Sequence, residues 1–310
     1  SKYRDEIFIT PKRRAGGLLG KEWFLFLLFI LPNFFFLAMF TYWPLWKNLR
    51  LSFMKTDLLS FSGGQEFVGW ENYQWLFGNG TFRYVVQNTV IFIVSCVVLT
   101  LGLGLLTALL LNERLRGRNG VRTLVFAPYL LSGAAIGIVW AYIFDPRFGL
   151  LAQILSWFGI GSPHWLDRPE WAMPAIIIVY VWKNLGFATV IFLAGLQAIP
   201  RDLYDAAKVD GAGAWWRFKS VTLPMLSPIS FFLMVTSVLA TFQAFDIQQV
   251  MTRGGPAHAT TTLVYYVYEQ AFEAANYERA AAAAVILFIA MLIVTAIQMY
   301  FSERKVNYDA

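Results

Sequence analysis

Residues 85–111 read VVQNTVIFIVSCVVLTLGLGLLTALLL, a run without Asp, Glu, Lys or Arg. A helix of about 20 apolar residues crosses the roughly 30 Å hydrocarbon core of a bilayer. This run is long enough to do so and too apolar to face water. Blocks of the same kind lie on either side of it, at 23–46, 121–144, 172–196, 221–245 and 280–301. The expected fold class is therefore an all-α integral membrane protein with six transmembrane helices. The first block follows Lys12, Arg13, Arg14 and Lys21, as a signal peptide would. It is too long and too aromatic for one and lacks a small-residue cleavage site, so it is read as a retained anchor helix.

Composition agrees with a bilayer as solvent. Of the 310 residues, 58% are hydrophobic and 14% charged, against about a quarter charged in soluble domains. The net charge of +6 could suit nucleic acid or acidic lipid. Most cations sit in short segments between apolar blocks, so membrane lipid is the expected partner and nucleic acid is not. The one cysteine, Cys96, lies inside an apolar block and has no partner for an intrachain disulfide. It is read as a small buried apolar residue.

The distribution of cations sets an expected orientation. With the N-terminus in the cytoplasm, 16 Lys and Arg fall on that side and 8 on the other, with Lys183 left inside a block. Both termini are thus expected in the cytoplasm. Trp23, Trp43, Trp46, Trp140, Tyr142, Trp171 and Tyr300 fall near block ends, as interfacial aromatics do. The expected organisation is a cytoplasmic segment 1–21, an anchor helix with outer segment 22–84, a five-helix core 85–301 and a cytoplasmic tail 302–310. The outer segments are 47–84, 145–171 and 246–279; the second reads as loop with a short helix, and Gly254-Gly255-Pro256 marks a turn in the third. Gly133-x-x-x-Gly137 permits a close helix approach, the ordinary use of such a pair.

Catalytic chemistry is not visible. His164 and His258 fall in outer loops without metal-ligand spacing and are read as solvated. Gly16-Gly17-Leu18-Leu19-Gly20-Lys21-Glu22 resembles a phosphate-binding loop only faintly: the glycine spacing is one short, and Glu22 stands where Ser or Thr is needed. Gly102-x-Gly104 lies in a membrane block and is no dinucleotide fingerprint. No catalytic residue, metal site or cofactor is expected in this chain.

The segment between the fourth and fifth blocks carries the most information. It runs Asp202-Leu203-Tyr204-Asp205-Ala206-Ala207-Lys208-Val209-Asp210-Gly211, then to Val221-Thr222-Leu223-Pro224. Pro200 precedes a short helix of about 202–209, and Gly211 permits the positive φ that ends it. A second amphipathic turn holds Trp215, Trp216 and Phe218. Pro224 and Pro228 fall near the start of the next block, where proline is tolerated. A short projecting helix tipped by Ala206 and Ala207 suits a groove on a partner.

This segment resembles the EAA loop of permease subunits of binding-protein-dependent ABC importers. The family pattern of Glu-Ala-Ala, three residues, Gly, nine residues and Ile-x-Leu-Pro appears as Asp205-Ala206-Ala207, Gly211 and Val221-Thr222-Leu223-Pro224, with every spacing kept. Asp205 is shorter than the family's Glu, and Val221 replaces Ile. Trp182-Lys183, Gly195-Leu196-Gln197-Ala198-Ile199-Pro200 and Gly254-Gly255-Pro256 with Thr260-Thr261-Thr262-Leu263 resemble the carbohydrate-importer branch, nearest in look to its glycerol-3-phosphate type. The resemblance implies a permease fold in a bacterial or archaeal cytoplasmic membrane. It also implies as partners a second permease subunit, two ATP-binding subunits that carry ATP and Mg, and an external solute-binding protein. Loop 197–220, with the motif's end just beyond it, would couple ATP use to transport through Asp205, Ala206, Ala207, Asp210, Gly211, Leu223 and Pro224.

An importer holds solute near the bilayer midplane, on inward helix faces. Tyr180, Lys183, Asn184 and Phe187 are spaced i, i+3, i+4, i+7 on one helical face. Ser237, Thr241 and Ala244 share another, with Gln243 and Asp246 nearby. The resemblance implies that these stripes line the solute path, with Ala244 where a maltose-type relative has a polar residue. Helix packing is the competing reading of both stripes. For Gln243 and Asp246 it is the outer mouth or a helix end. A lysine inside a membrane block costs about 2.5–3.5 kcal/mol unless it meets water, an anion or a carboxylate, so Lys183 needs one of these. A secondary transporter and an ion channel are the rival classes. The first needs no ATPase partner, and the second needs a selectivity filter that the sequence lacks.

Overall fold

The structure is a computed structural model and describes residues 18–56, 64–113 and 117–305. The expected segment 1–21 up to residue 17, Arg114, Arg116 and the tail from residue 306 lie outside the described residues. The chain divides into two compact units at Arg50 and Leu51. In the first, helix α1 (Leu18–Leu37) runs through a π-helical turn at Ala38–Tyr42 into α2 (Trp43–Leu51). Pro32 inside α1 has no N–H to donate.

In the second unit, β1 (Met54–Thr56) pairs antiparallel with β2 (Gln65–Phe67). Helix α3 (Glu71–Gly78) follows, and the Asn72 amide donates to the Ser52 and Met54 carbonyls at 2.9 Å each, which fixes it to the strand. Helix α4 (Gly80–Asn112) starts at Asn79, whose Oδ1 accepts from the Thr81 N–H at 2.9 Å. The order continues with α5 (Arg118–Leu130), α6 (Gly133–Ile143), α7 (Leu150–Trp157) and α8 (Pro169–Ala198), which has proline in its first turn. Helices α9 (Arg201–Val209) and α10 (Ala214–Arg217), a π-turn at Phe218–Thr222 and α11 (Leu223–Met225) lead to α12 (Ser227–Phe242). Then come α13 (Asp246–Met251), α14 (Leu263–Tyr268), a π-turn at Glu269–Glu273 and α15 (Tyr277–Lys305).

Among the described residues five spans are long and apolar enough to cross a membrane, and six if α5 with α6 counts as one. That pair corrects the expectation of a continuous helix over 121–144, because its halves meet at 105°. Pro128 supplies no N–H to the helix, and Leu131 is extended with ψ 150°. The expected block 221–245 is also displaced. Its long helix begins at Ser227, and the span breaks at residues 243–245 before continuing through α13 to Met251. The third outer segment, expected as a turn, contains α14 as well.

Inside a bilayer apolar burial does little to join helices, and close van der Waals packing takes over. Small residues set that packing here. Helix α8 lies along α4 where Gly104 faces Ala188, and a Cβ on Gly104 would stand 2.8 Å from the Ala188 Cβ. Gly186 of α8 faces the Val125 and Phe126 backbone of α5, and a Cβ there would overlap the Val125 carbonyl.

The run Thr260-Thr261-Thr262 is buried and fully engaged. Thr260 Oγ1 is 2.7 Å from Thr252 Oγ1, Thr261 Oγ1 donates to the Gly254 carbonyl at 3.0 Å, and Thr262 Oγ1 donates to Gln248 Oε1 at 2.8 Å. The Asn88 amide of α4 donates to the His258 carbonyl at 2.8 Å, and Thr89 Oγ1 accepts from the Leu263 N–H at 2.8 Å. These hydrogen bonds stitch the connection to the central helices, while the Gln248 amide nitrogen and the Tyr265 and Tyr266 hydroxyls beside them stay buried without a partner among the described residues.

Candidate functional site

Two adjoining cavities lie among α4, α5, α8, α12 and α13. The smaller, of about 160 Å³, is lined by Cys96, Thr100, Tyr129, Tyr180, Asn184, Phe187, Ser237 and Thr241, among others. The larger, of about 300 Å³, is lined by Tyr180, Lys183, Asn184, Gln243, Ala244 and Asp246, among others. They share Tyr180, Asn184 and Ala240, so they form one continuous recess. All seven residues of the two helical stripes, Tyr180, Lys183, Asn184, Phe187, Ser237, Thr241 and Ala244, line it, and so does Gln243 beside them.

Local bonds fix what each group offers. The Asn184 amide donates to the Tyr180 carbonyl one turn back, at 2.8 Å, which leaves Oδ1 and the second N–H of the amide to offer the cavity. Thr241 Oγ1 donates to the Ser237 carbonyl at 2.6 Å and lies 3.3 Å from the Tyr180 hydroxyl. Phe187 stacks on Tyr129 with ring centroids 5.0 Å apart. The Thr100 hydroxyl is buried and, among the described residues, has no partner, so it lies behind the α4 wall of the cavity and not on its surface. Cys96 is buried as expected, and it also lines this wall.

The two charges of the larger cavity belong to the break in the third span. Lys183 is half-buried, with Nζ 5.5 Å from the centroid of Tyr129 in the last turn of α5. A cation near a helix C-terminus and over an aromatic face is favoured on both counts. Asp246, the first residue of α13, places its carboxylate against Gly133, the first residue of α6. An anion at a helix N-terminus is likewise favoured. Its Oδ1 also accepts from the Ile247 N–H at 2.9 Å. Among the described residues neither charge forms an ion pair.

The loop after α8 has the expected shape. Helix α9 ends on Gly211 at φ +76°. The Gly211 N–H donates to the Lys208 carbonyl at 3.0 Å and the Ala212 N–H to the Ala207 carbonyl at 2.9 Å, the Schellman arrangement that satisfies the last turn. Ala207 is buried, and the Tyr204 hydroxyl meets Thr222 Oγ1 at 3.0 Å, so one face of α9 is anchored. Asp205, Ala206, Val209, Asp210 and Gly211 face outward, and among the described residues nothing lies within 4 Å of where a Gly211 side chain would begin. Leu223 and Pro224 are exposed, as are Trp215 and Trp216. The hydrogen bond from Lys208 Nζ at 2.7 Å, with its charge, holds the Asp205 carboxyl below its ordinary range.

His258 is not simply solvated, which corrects the expectation from sequence. Its Nδ1 lies 3.7 Å from Glu269 Oε1 and 3.4 Å from Thr261 Oγ1. Burial pushes the Glu269 carboxyl above its usual value, and the nearby His258 opposes that shift. His164 lies 3.5 Å from Asp167 on the surface. Sequence reasoning misses Cys96, Thr100, Tyr129 and Thr236 as cavity lining. The i, i+4 pair Cys96 and Thr100 in an apolar helix is the signal that could have found two of them.

These features define a membrane component of a solute importer, and comparison with known proteins agrees. The family described as "Binding-protein-dependent transport system inner membrane component" matches residues 100–308. The chain belongs to that family, and it is a multi-pass inner-membrane permease of a binding-protein-dependent importer. It is 37% identical over 291 residues to the sn-glycerol-3-phosphate transport system permease protein UgpA of Yersinia pestis, covering 93% of this chain and 97% of that protein. It is 36% identical over 281 residues to the UgpA protein of Pectobacterium atrosepticum, covering 90% and 94%. Among solved structures, it matches a chain of a bacterial alginate ABC transporter in complex with alginate pentasaccharide-bound periplasmic protein. That match has a TM-score of 0.80 and 25% identity and covers 92% of this chain and 96% of that one.

Proposed function

We propose that this permease passes an anionic polyol of the glycerol-phosphate type through the recess between α4, α8 and α12. The observation that carries the reading is Lys183, a cation set within a membrane span and facing the larger cavity. Lysine binds phosphate as a point charge, and a partly dehydrated wall strengthens that attraction. Asn184 and Gln243 supply groups for a polyol. The identity to UgpA proteins of more than one organism supports this solute class. A second reading, an acidic oligosaccharide, is favoured by the fold match to a transporter of the acidic polysaccharide alginate.

The working assembly has a second permease subunit, two ATP-binding subunits that hold ATP and Mg, and an external solute-binding protein. Both termini of this chain are cytoplasmic. Helix α9, with Asp205, Ala206, Ala207, Asp210 and Gly211 and the nearby Leu223 and Pro224, seats in a groove of an ATP-binding subunit. Closure of the ATP-binding pair moves α9 and rocks the spans, so that access to the recess alternates between the two sides. ATP is hydrolysed on those subunits and not on this chain.

The test is Lys183→Gln in the assembled complex, with uptake of a phosphorylated polyol, an acidic oligosaccharide and a neutral oligosaccharide measured in parallel. Selective loss of the phosphorylated polyol is expected. Loss confined to the acidic oligosaccharide would favour the second reading. Equal loss of all three would make Lys183 structural, and unchanged uptake of the anions would remove it from the path.

A further inference from the structure

Helix α7, in the segment between α6 and α8, shows three distinct faces. Leu151, Ala152 and Leu155 are partly buried, and Leu151 packs against the core that includes Ile176 and Met173. Gln153 and Ser156 are exposed and polar. Leu150, Ile154 and Trp157, spaced i, i+4, i+7, form an exposed apolar face. Trp157 is 80% exposed, and Phe158, directly after the helix, is 73% exposed. The geometry is fixed at both ends. Asp145 Oδ1 accepts from the Arg147 and Phe148 N–H groups at 2.8 Å each, and the Ile160 N–H donates to the Leu155 carbonyl at 3.0 Å. The exposed face is therefore part of a defined structure and not a frayed end.

We infer that α7 lies in the headgroup region of the leaflet at the N-terminal end of α8, with Leu150, Ile154, Trp157 and Phe158 inserted among the lipid chains. From Phe148 to Leu166 the sequence has no Asp, Glu, Lys or Arg, while Arg147, Asp167 and Arg168 bound it. A segment joining the ends of two spans stays at the bilayer boundary, and an uncharged helix with apolar and polar faces rests there lengthwise. Tryptophan is the residue favoured at that depth. Helix α6, which contacts α7, also carries exposed apolar residues at Ile138, Val139 and Tyr142. A soluble protein that docks and leaves would uncover Trp157 and Phe158 to water in every cycle. Surfaces of that transient kind are about as polar as the rest of a protein, which favours lipid as the occupant. The anchored helix then steadies the outer end of the broken α5–α6 span.

The test places single cysteines at Gln153, Ile154 and Trp157 in the assembled complex in phosphatidylglycerol–phosphatidylethanolamine vesicles, each carrying a nitroxide. The parent, with only buried Cys96, sets the background. Collision with oxygen, which concentrates in the bilayer, is compared with collision with a water-soluble nickel chelate. At 154 and 157 the oxygen-to-nickel ratio should exceed that at 153 several-fold. Equal nickel access at all three positions would place the helix in water and overturn the inference. Protection of 154 and 157 from both reagents would assign the face to a protein partner and overturn it as well. If a cysteine at Trp157 prevents assembly, Phe158 takes its place with the same expectation.

Discussion

The carboxylate of Asp246 lies against Gly133 so closely that any side chain at position 133 would overlap it. Four residues further along both helices, Gly137 receives Val250, and a Cβ there would stand 3.2 Å from the Val250 side chain. Helices α6 and α13 therefore run in the same direction along a seam made by two glycines. The seam brings an acidic side chain to the first turn of α6, where the backbone N–H groups have no helical partners. Gly133→Val should displace Asp246 and lower the thermal stability of the purified complex by about 1–3 kcal/mol, the usual range for overpacking. Asp246→Asn, which keeps the shape, should lose much less stability. Thermal denaturation of the two variants checks this.

The glycines of Gly102-x-Gly104 should differ. A Cβ at Gly102 meets nothing within 4 Å, whereas one at Gly104 meets Ala188. Gly102→Ala should leave the melting temperature unchanged or raise it, since alanine is the better helix former by about 1 kcal/mol. Gly104→Val should lower it clearly. Equal effects would contradict the close α4–α8 packing.

Thr100→Val keeps the shape of the residue and removes its unpartnered hydroxyl. Stability should hold or rise, because a buried polar group without a partner costs about 1–3 kcal/mol. KM for uptake should be unchanged, because the hydroxyl is closed off from the recess. A KM raised by about tenfold, the cost of a lost hydrogen bond of about 1.4 kcal/mol, would show that solute reaches it.

Gly211→Ala meets no steric obstacle among the described residues, so its cost is that of a side chain at positive φ, about 1–2 kcal/mol. The variant should fold and assemble. Gly211→Arg should lower transport and solute-stimulated ATPase activity of the assembled complex together, because its side chain projects from the outward face of α9. Normal transport by that variant would contradict the docking of α9.

Glu269 gives a pH dependence of definite sign. Its folded carboxyl titrates above the ordinary 4.5, chiefly through burial. The stability linked to its protonated form is complete below that ordinary value and is lost as pH rises through the higher folded value. Glu269→Gln should therefore gain stability relative to the parent as pH rises from about 4 toward neutrality. Thermal melts across that range check the trend, and a gap that narrows with rising pH would refute it.

The spans are legible in the sequence because apolar runs of that length, with at most one charge each, have one physical use. The break at Leu131–Ser132 is not, because Pro128 has a recognisable effect only once Leu131 is seen to be extended and α6 to pack on α13. Helix α14 escapes notice because a six-residue apolar stretch between turns is too short to show a period. The stripe Tyr180, Lys183, Asn184, Phe187 is legible as one helix face, since spacing alone puts those side chains together. Thr100 and Tyr129 are not, because single polar residues in apolar helices reveal their facing only when the neighbouring helices are in place. The Thr260-Thr261-Thr262 run stands out in the sequence, yet its hydrogen bonds to Gln248 and the Gly254 carbonyl depend on contacts that only the folded chain creates.

The break in the third span makes two helix ends where an intact helix would have none, and each charge of the larger cavity sits beside one of them. Lys183 stands over the last turn of α5 and Asp246 at the first turn of α6. Backbone dipoles thus balance part of each charge before any solute arrives. The broken span thus stands in for the salt bridge that two opposite charges in one membrane cavity would otherwise form, and among the described residues it leaves each of them unpaired with any other side-chain charge.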